Sequence, residues 1–153
     1  MRFRYAIIAM ATVGATCLTG SGVALANSVP YHLCDTAQNH SNLCAFGAAE
    51  GEPVDMGSPG DASLFYIPAP GSGSGQIRLD GSSLCLQQDA AASNDIILEP
   101  CAGKAAEEWE PEAVTGGTAY VNEYTDDCLN DDYYTGVMNG AECNYGTDEL
   151  WFS

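Results

Sequence analysis

The chain has 153 residues, of which 21 are acidic and 4 basic, giving a formal net charge of −17 at pH 7. That field repels nucleic acid and anionic membrane or wall polymers, and it suits either solubility in an exposed setting or a cationic protein partner. With two histidines and no C-x-x-C pair among seven cysteines, zinc and thiol-redox chemistry have little to work with, and no cofactor or metal is expected.

In chain order, the first segment is a processing signal: MRFRY is basic, AIIAMATVGATCL is a short apolar run, and Ala24-Leu25-Ala26 is a small-x-small cleavage site. Cleavage after Ala26 leaves residues 27–153 as a single exported domain and no membrane anchor, and it removes Cys17. The remainder carries two basic residues, Arg78 and Lys104, against all twenty-one acidic ones, a net charge of −19. Six cysteines remain, an even number that predicts three disulfides in an oxidising compartment, with the pairing left open by the count alone.

A unit then recurs three times. Ser41-Asn42-Leu43-Cys44 opens the first copy, and Phe65 follows Cys44 by 21 residues. The second cysteine of this copy is missing, its place held by Gly57 and Ser58. Pro68 to Gly75 reads as a loop. Gln76 to Leu79 alternates and runs into the turn pair Asp80-Gly81 ahead of Ser83-Leu84-Cys85, and Ile96-Ile97-Leu98 is a buried-looking strand closed by Pro100. Cys101 comes 16 residues after Cys85, and Trp109 eight beyond it, with a helical turn expected at Lys104 to Glu108. The last copy repeats the theme: Tyr120-Val121, then Cys128, Val137-Met138 with Asn139-Gly140, Cys143 and Trp151-Phe152, spaced by fifteen and eight. Units of about 42 residues, placed at 29–68, 74–113 and 117–153, cannot each bury a core. Three of them predict a closed all-β fold with threefold pseudosymmetry, a β-trefoil.

The Cys, apolar run, Cys, x7, Trp arrangement resembles ricin B-type (R-type) lectin domains over nearly the whole exported chain. It rests on Cys85-Leu86, Cys101 and Glu107-Glu108-Trp109, and on Cys128-Leu129, Cys143 and Glu149-Leu150-Trp151. The resemblance implies disulfides within each third, Cys85 with Cys101 and Cys128 with Cys143, leaving Cys34 and Cys44 to close the loop between them. It also implies a shallow sugar pocket on each third: an Asp two places after the first Cys, a stacking aromatic two places before the second, and Asn-Gln ahead of the Trp. A sugar needs such a set because it offers C–H faces and paired hydroxyls.

Judged by these positions, the pockets are largely degenerate. Phe46 and Ser63 stand at the Asp and Gln places of the first copy. Gln87, Glu99 and Ala106-Glu107 replace Asp, aromatic and Asn-Gln in the second. The third has Asn130 and Asp148-Glu149, with Asp131, Tyr133 and Tyr134 nearby and Ala141 in place of the aromatic. The candidate carbohydrate-binding residues are therefore Asn130, Asp131, Tyr134, Asp148 and Glu149. The run Asp126 to Asp132 lacks the D-x-D-x-D-G pattern and terminal Glu of a calcium loop and reads as solvated acidic loop. Catalysis has no triad to use: His32 and His40 lie in the N-terminal segment, and GSGSG at 71–75 has glycine where G-x-S-x-G needs serine. The sequon Asn39-His40-Ser41 matters only in a glycosylating host. The sequence thus predicts a secreted, monomeric, non-catalytic module that binds glycan weakly through its C-terminal unit. The other reading is an interaction or inhibitor protein on a scaffold that has lost its sugar pockets.

Overall fold

The computed structural model describes residues 29–36, 43–47, 49–89, 94–132 and 134–152. The signal segment with Cys17, the sequon with His40, Ser41 and Asn42, and Tyr133 lie outside them. The regular structure of the described residues is nearly all strand: β1 (Tyr31–His32), β2 (Cys34–Asp35), β3 (Cys44–Phe46), β4 (Asp55–Gly57), β5 (Leu64–Tyr66), β6 (Gly75–Gln76), β7 (Arg78–Leu79), β8 (Leu84–Gln88), β9 (Ile96–Pro100), β10 (Glu108–Val114), β11 (Gly117–Asn122), β12 (Asp127–Asp132), β13 (Val137–Glu142) and β14 (Trp151–Phe152). A 3-10 turn at Ala105–Glu107 falls where the helical turn was expected. Residues 67–74, between β5 and β6, carry no strand, in line with the loop read at Pro68 to Gly75.

All neighbouring strands pair antiparallel. β12, β13, β4, β3, β2, β14 and β11 follow one another by pairing, and β11 meets β12 again at Val121 and Cys128, so the circuit closes on itself. Closure removes the edges that would otherwise template aggregation. A second sheet runs β1-β5-β7-β8-β9.

Three cross-unit hydrogen bonds relate the units cyclically. The Met56 amide donates to the Gly136 carbonyl (2.8 Å), the Leu98 amide to the Glu52 carbonyl (3.2 Å), and the Gly140 amide to the Asn94 carbonyl (2.7 Å). Each unit therefore leans on the one before it, and the first leans on the last. Inside the ring the side chains come in sets of three: Phe65, Trp109 and Trp151, then Val54, Ile96 and Met138, all buried in one cluster with Leu33, Ile77 and Tyr120.

The three disulfides are Cys34–Cys44, Cys85–Cys101 and Cys128–Cys143, as the resemblance implied. The spacing from cysteine to tryptophan now has a physical reason. Trp109 Nε1 donates to the Leu86 carbonyl (3.2 Å), one residue past Cys85, and Trp151 Nε1 donates to the Leu129 carbonyl (3.0 Å), one residue past Cys128. A buried indole N–H needs a partner, and the strand carrying the first cysteine supplies it. In the first unit Phe65 has no N–H to offer. The matching carbonyl, on Ala45 after Cys44, accepts instead from the Ser63 amide at 3.1 Å.

This pairing makes Trp109→Phe a test of one hydrogen bond. We expect it to cost about 1–2 kcal/mol by chemical denaturation, because the Leu86 carbonyl is left buried and unpaired. Trp109→Ala should cost about 3–5 kcal/mol through the cavity as well. A Trp109→Phe variant as stable as wild type would show that the indole hydrogen bond to Leu86 contributes nothing to stability.

Candidate functional site

Strand alternation decides which polar groups of the third unit can share a face. Asn130, on β12, lies opposite Asn139 on β13 and is 7 % exposed. Its Nδ2 donates to Asp148 Oδ2 at 3.1 Å, so an amide and a partly exposed carboxylate from two separate segments converge. Tyr134 sits in the turn joining β12 to β13, 95 % exposed, with its backbone amide held by Asp132 Oδ1 at 3.0 Å. A rigid strand residue, a carboxylate and an exposed ring are thus presented by one hairpin and the segment ahead of Trp151.

Two of the five expected residues are placed otherwise. Asp131 follows Asn130 in the strand and is 2 % exposed, so its side chain enters the interior. Glu149 is fully buried: its Oε2 accepts from the amides of Asn144 (2.8 Å) and Tyr145 (2.6 Å), and its Oε1 from Asn144 Nδ2 (2.9 Å). Glu107 repeats this in the middle unit, accepting from the amides of Ala102 (2.7 Å) and Gly103 (2.9 Å) and from Gln76 Nε2 (2.9 Å). The acid two places before each tryptophan is therefore a latch on the turn after the second cysteine. It holds that turn in a left-handed conformation at Gly103 (φ 68°) and at Tyr145 (φ 56°). The Tyr145 hydroxyl donates to Glu112 Oε2 at 2.8 Å, and this bond with the nearby negative charge raises its pKa.

The acidic run at 126–132 also differs from its reading as solvated loop. Asp127–Asp132 is strand β12, and Cys128 to Asp131 are all buried. Among the described residues no group of three or more histidines, cysteines or acids could hold a metal ion.

In the first two units the corresponding side chains have partners of their own. In the first unit Phe46 lies against Gly57, where an added Cβ would meet its ring at 2.7 Å, and Ser63 Oγ is taken by the Gly47 amide. In the middle unit Gln87 Oε1 accepts from Lys104 Nζ (3.0 Å), and Glu99 faces Cys85 across the hairpin. Lys104 also reaches Glu107 Oε1 at 3.5 Å.

A residue that sequence reading passed over joins the second unit to the third. Gln88, buried, donates from Nε2 to Asp127 Oδ2 (2.7 Å) and accepts on Oε1 from Thr125 Oγ1 (2.7 Å). It occupies the space over Gly140, where an added Cβ would lie 2.0 Å from Nε2. Gly140 pairs with Leu129, just as Leu98 pairs with Leu86 and Met56 with Ala45. The third unit thus has no side chain at the position its siblings fill, and the amide of Gln88 takes the volume.

Solved structures share this architecture at low identity. The designed threefold-symmetric protein ThreeFoil matches with a TM-score of 0.66 at 15 % identity, over 78 % of this chain and 94 % of its own. The fold is a β-trefoil. The GlcNAcα1-4Gal-releasing endo-β-galactosidase of Clostridium perfringens matches with a TM-score of 0.65 at 14 % identity, over 81 % of this chain and 32 % of its own. The Polyporus squamosus lectin bound to Neu5Acα2-6Galβ1-4GlcNAc matches with a TM-score of 0.60 at 14 % identity, over 80 % of this chain and 47 % of its own. The trefoil therefore spans about a third of the galactosidase and about half of the lectin. No protein-family model matches the sequence, and neither does any curated protein. At the level of the fold, the likeness to R-type lectins carried by the cysteine and tryptophan spacing holds.

Two substitutions probe the supports of this trefoil's third unit. Gly140→Ala should cost about 1–3 kcal/mol, because Gln88 must leave both partners to make room. Glu149→Ala should cost about 3 kcal/mol and loosen the 143–146 turn, seen as faster amide exchange at Asn144 and Tyr145. Unchanged exchange there would remove the latch from the account.

Proposed function

We propose that this is a secreted, non-catalytic carbohydrate-binding module, built of three units of about 42 residues, in which the third unit alone keeps a usable sugar pocket. The observation that carries the reading is the Asn130–Asp148 hydrogen bond, with the exposed Tyr134 in the turn of the same β12–β13 hairpin, set against Phe46 packed on Gly57 and Gln87 bonded to Lys104 at the equivalent places. Asn130 and Asp148 would offer donor and acceptor to vicinal hydroxyls, and Tyr134 a flat face to the sugar ring. In this reading Glu149 and Asp131 support the pocket from behind. Affinity should be weak, because a single shallow site buries little ligand surface.

Two further points support the assignment. Lectins are among the solved trefoils it resembles, one of them bound to a sialylated galactose-containing glycan. Three disulfides in a chain of this size suit an oxidising extracellular compartment. A second reading, an interaction module for a cationic protein, is favoured by the charge. Of the two basic residues outside the signal segment, Lys104 is engaged by Gln87 and Glu107, and Arg78 lies over the Tyr66 ring at 4.8 Å, so little opposes the acidic field.

Glycan-array screening followed by calorimetric titration separates the two. Under the lectin reading the wild type binds a glycan, and Asn130→Ala weakens it at least about tenfold, roughly 1.4 kcal/mol, with Tyr134→Ala close behind. Gln87→Ala should leave affinity unchanged. No glycan bound, together with salt-sensitive binding of a cationic protein, would favour the second reading.

A further inference from the structure

Tyr145 stands two places after the second cysteine of its unit, where the second unit has Gly103. Both positions do the same work for the fold. Glu149 accepts from the amides of Asn144 and Tyr145, as Glu107 accepts from those of Ala102 and Gly103. Both residues are left-handed, Tyr145 at φ 56° and Gly103 at φ 68°. Glycine enters that region freely, whereas a bulky side chain there is strained. The latch asks only for an amide and a left-handed backbone, and glycine supplies both without the strain.

Burial does not offset that strain, since Tyr145 is 45 % exposed. Its position is nevertheless fixed at both ends, by the amide on Glu149 and by the hydroxyl, which donates to Glu112 Oε2 on β10 at 2.8 Å. The hydroxyl bond is solvent-exposed, so water would serve either group nearly as well and the fold gains little from it. Its effect is to hold the ring still. An immobilised, half-exposed ring on a strained backbone is the arrangement expected where a residue meets something outside the chain.

The surroundings narrow what that is. Gly146 follows Tyr145, and an added Cβ there would lie 2.6 Å from Asp148 Oδ1, so the carboxylate that accepts from Asn130 rests against the residue next to Tyr145. Glu112 and Asp148 thus place acceptors on either side of the tyrosine. Lys104 and Arg78, the two basic residues outside the signal segment, are engaged elsewhere, by Gln87 and over the Tyr66 ring. Carboxylates without a cation among them repel an anionic ligand. A neutral sugar suits the set, with C–H groups for the ring and hydroxyl donors for the acids.

We propose that Tyr145 and Glu112 form a second saccharide subsite beside the Asn130–Asp148 pair, so that the third unit takes a neutral oligosaccharide and not a single sugar. One ring is held by Asn130 and Asp148, and the next stacks on Tyr145 with a hydroxyl donating to Glu112. The inference rests on the carbohydrate-binding reading and adds to it the length and charge of the ligand.

Tyr145→Gly tests it, because that variant copies the second unit and keeps the latch. Calorimetric titration with the oligosaccharide selected by array screening should give an affinity at least about tenfold below wild type, roughly 1.4 kcal/mol. The thermal midpoint of the variant should equal or exceed that of the wild type. Tyr145→Phe, which keeps the ring, should lose less affinity than Tyr145→Gly. Unchanged affinity in Tyr145→Gly, with Asn130→Ala still weakened, would overturn the subsite and leave the Asn130–Asp148 site standing. A wild type that binds no glycan would overturn both. A midpoint more than about 5 °C below wild type in Tyr145→Gly would assign the tyrosine to the fold and overturn the subsite, as would an array preference for sialylated over neutral glycans.

Discussion

The fold turns on what happens to two indole N–H groups. Trp109 and Trp151 are too large to sit anywhere but the shared centre, and once there each must donate to something. The carbonyls of Leu86 and Leu129 answer, one residue past Cys85 and Cys128. That bond fixes the distance between the end of a unit and its beginning, and the disulfide fixes the hairpin in between. Local chemistry thus shapes each unit, and the cyclic bonds at Met56, Leu98 and Gly140 join the three into one closed barrel. The first unit shows the rule by its exception, since Phe65 lacks the N–H and the amide of Ser63 takes over the carbonyl.

What could be read from the sequence is what lies close along the chain. The recurring tryptophans, the strands at 96–98 and 137–138 and the turn at 104–108 follow from spacing and composition within one unit, and the cysteine pairs are what the resemblance to R-type lectins implies. The contacts between units could not be read that way. Gln88 bonds Asp127 and Thr125, residues that it meets only after the barrel closes. Glu149 was read as a pocket residue because it stands at the place of a glutamine. Only burial reveals that its acceptors are used by the backbone of the neighbouring turn. The acidic run at 126–132 looked like loop because carboxylates are usually solvated, yet its pairing with 137–142 draws four of its residues inside.

The three units differ more at their surface than at their centre. A trefoil needs its centre three times over but its surface only where something binds. The centre is conserved in kind across the units: one aromatic, one aliphatic and one hydrogen-bonded carbonyl each. The outer positions differ in kind, a phenyl ring in one unit and a glutamine–lysine contact in the next, on the same barrel. The third unit carries the hydrogen-bonded Asn130–Asp148 pair.

The central claim about function, that ligand recognition is confined to the third unit, is tested most directly by amide chemical-shift mapping of the folded protein during titration with the glycan selected by array screening. The account predicts saturable shifts clustered at Asn130, Tyr134, Asn139 and Asp148, with the amides of Phe46 and Gln87 unmoved. Shifts centred on Phe46 or Gln87, or none at saturating sugar, would contradict it.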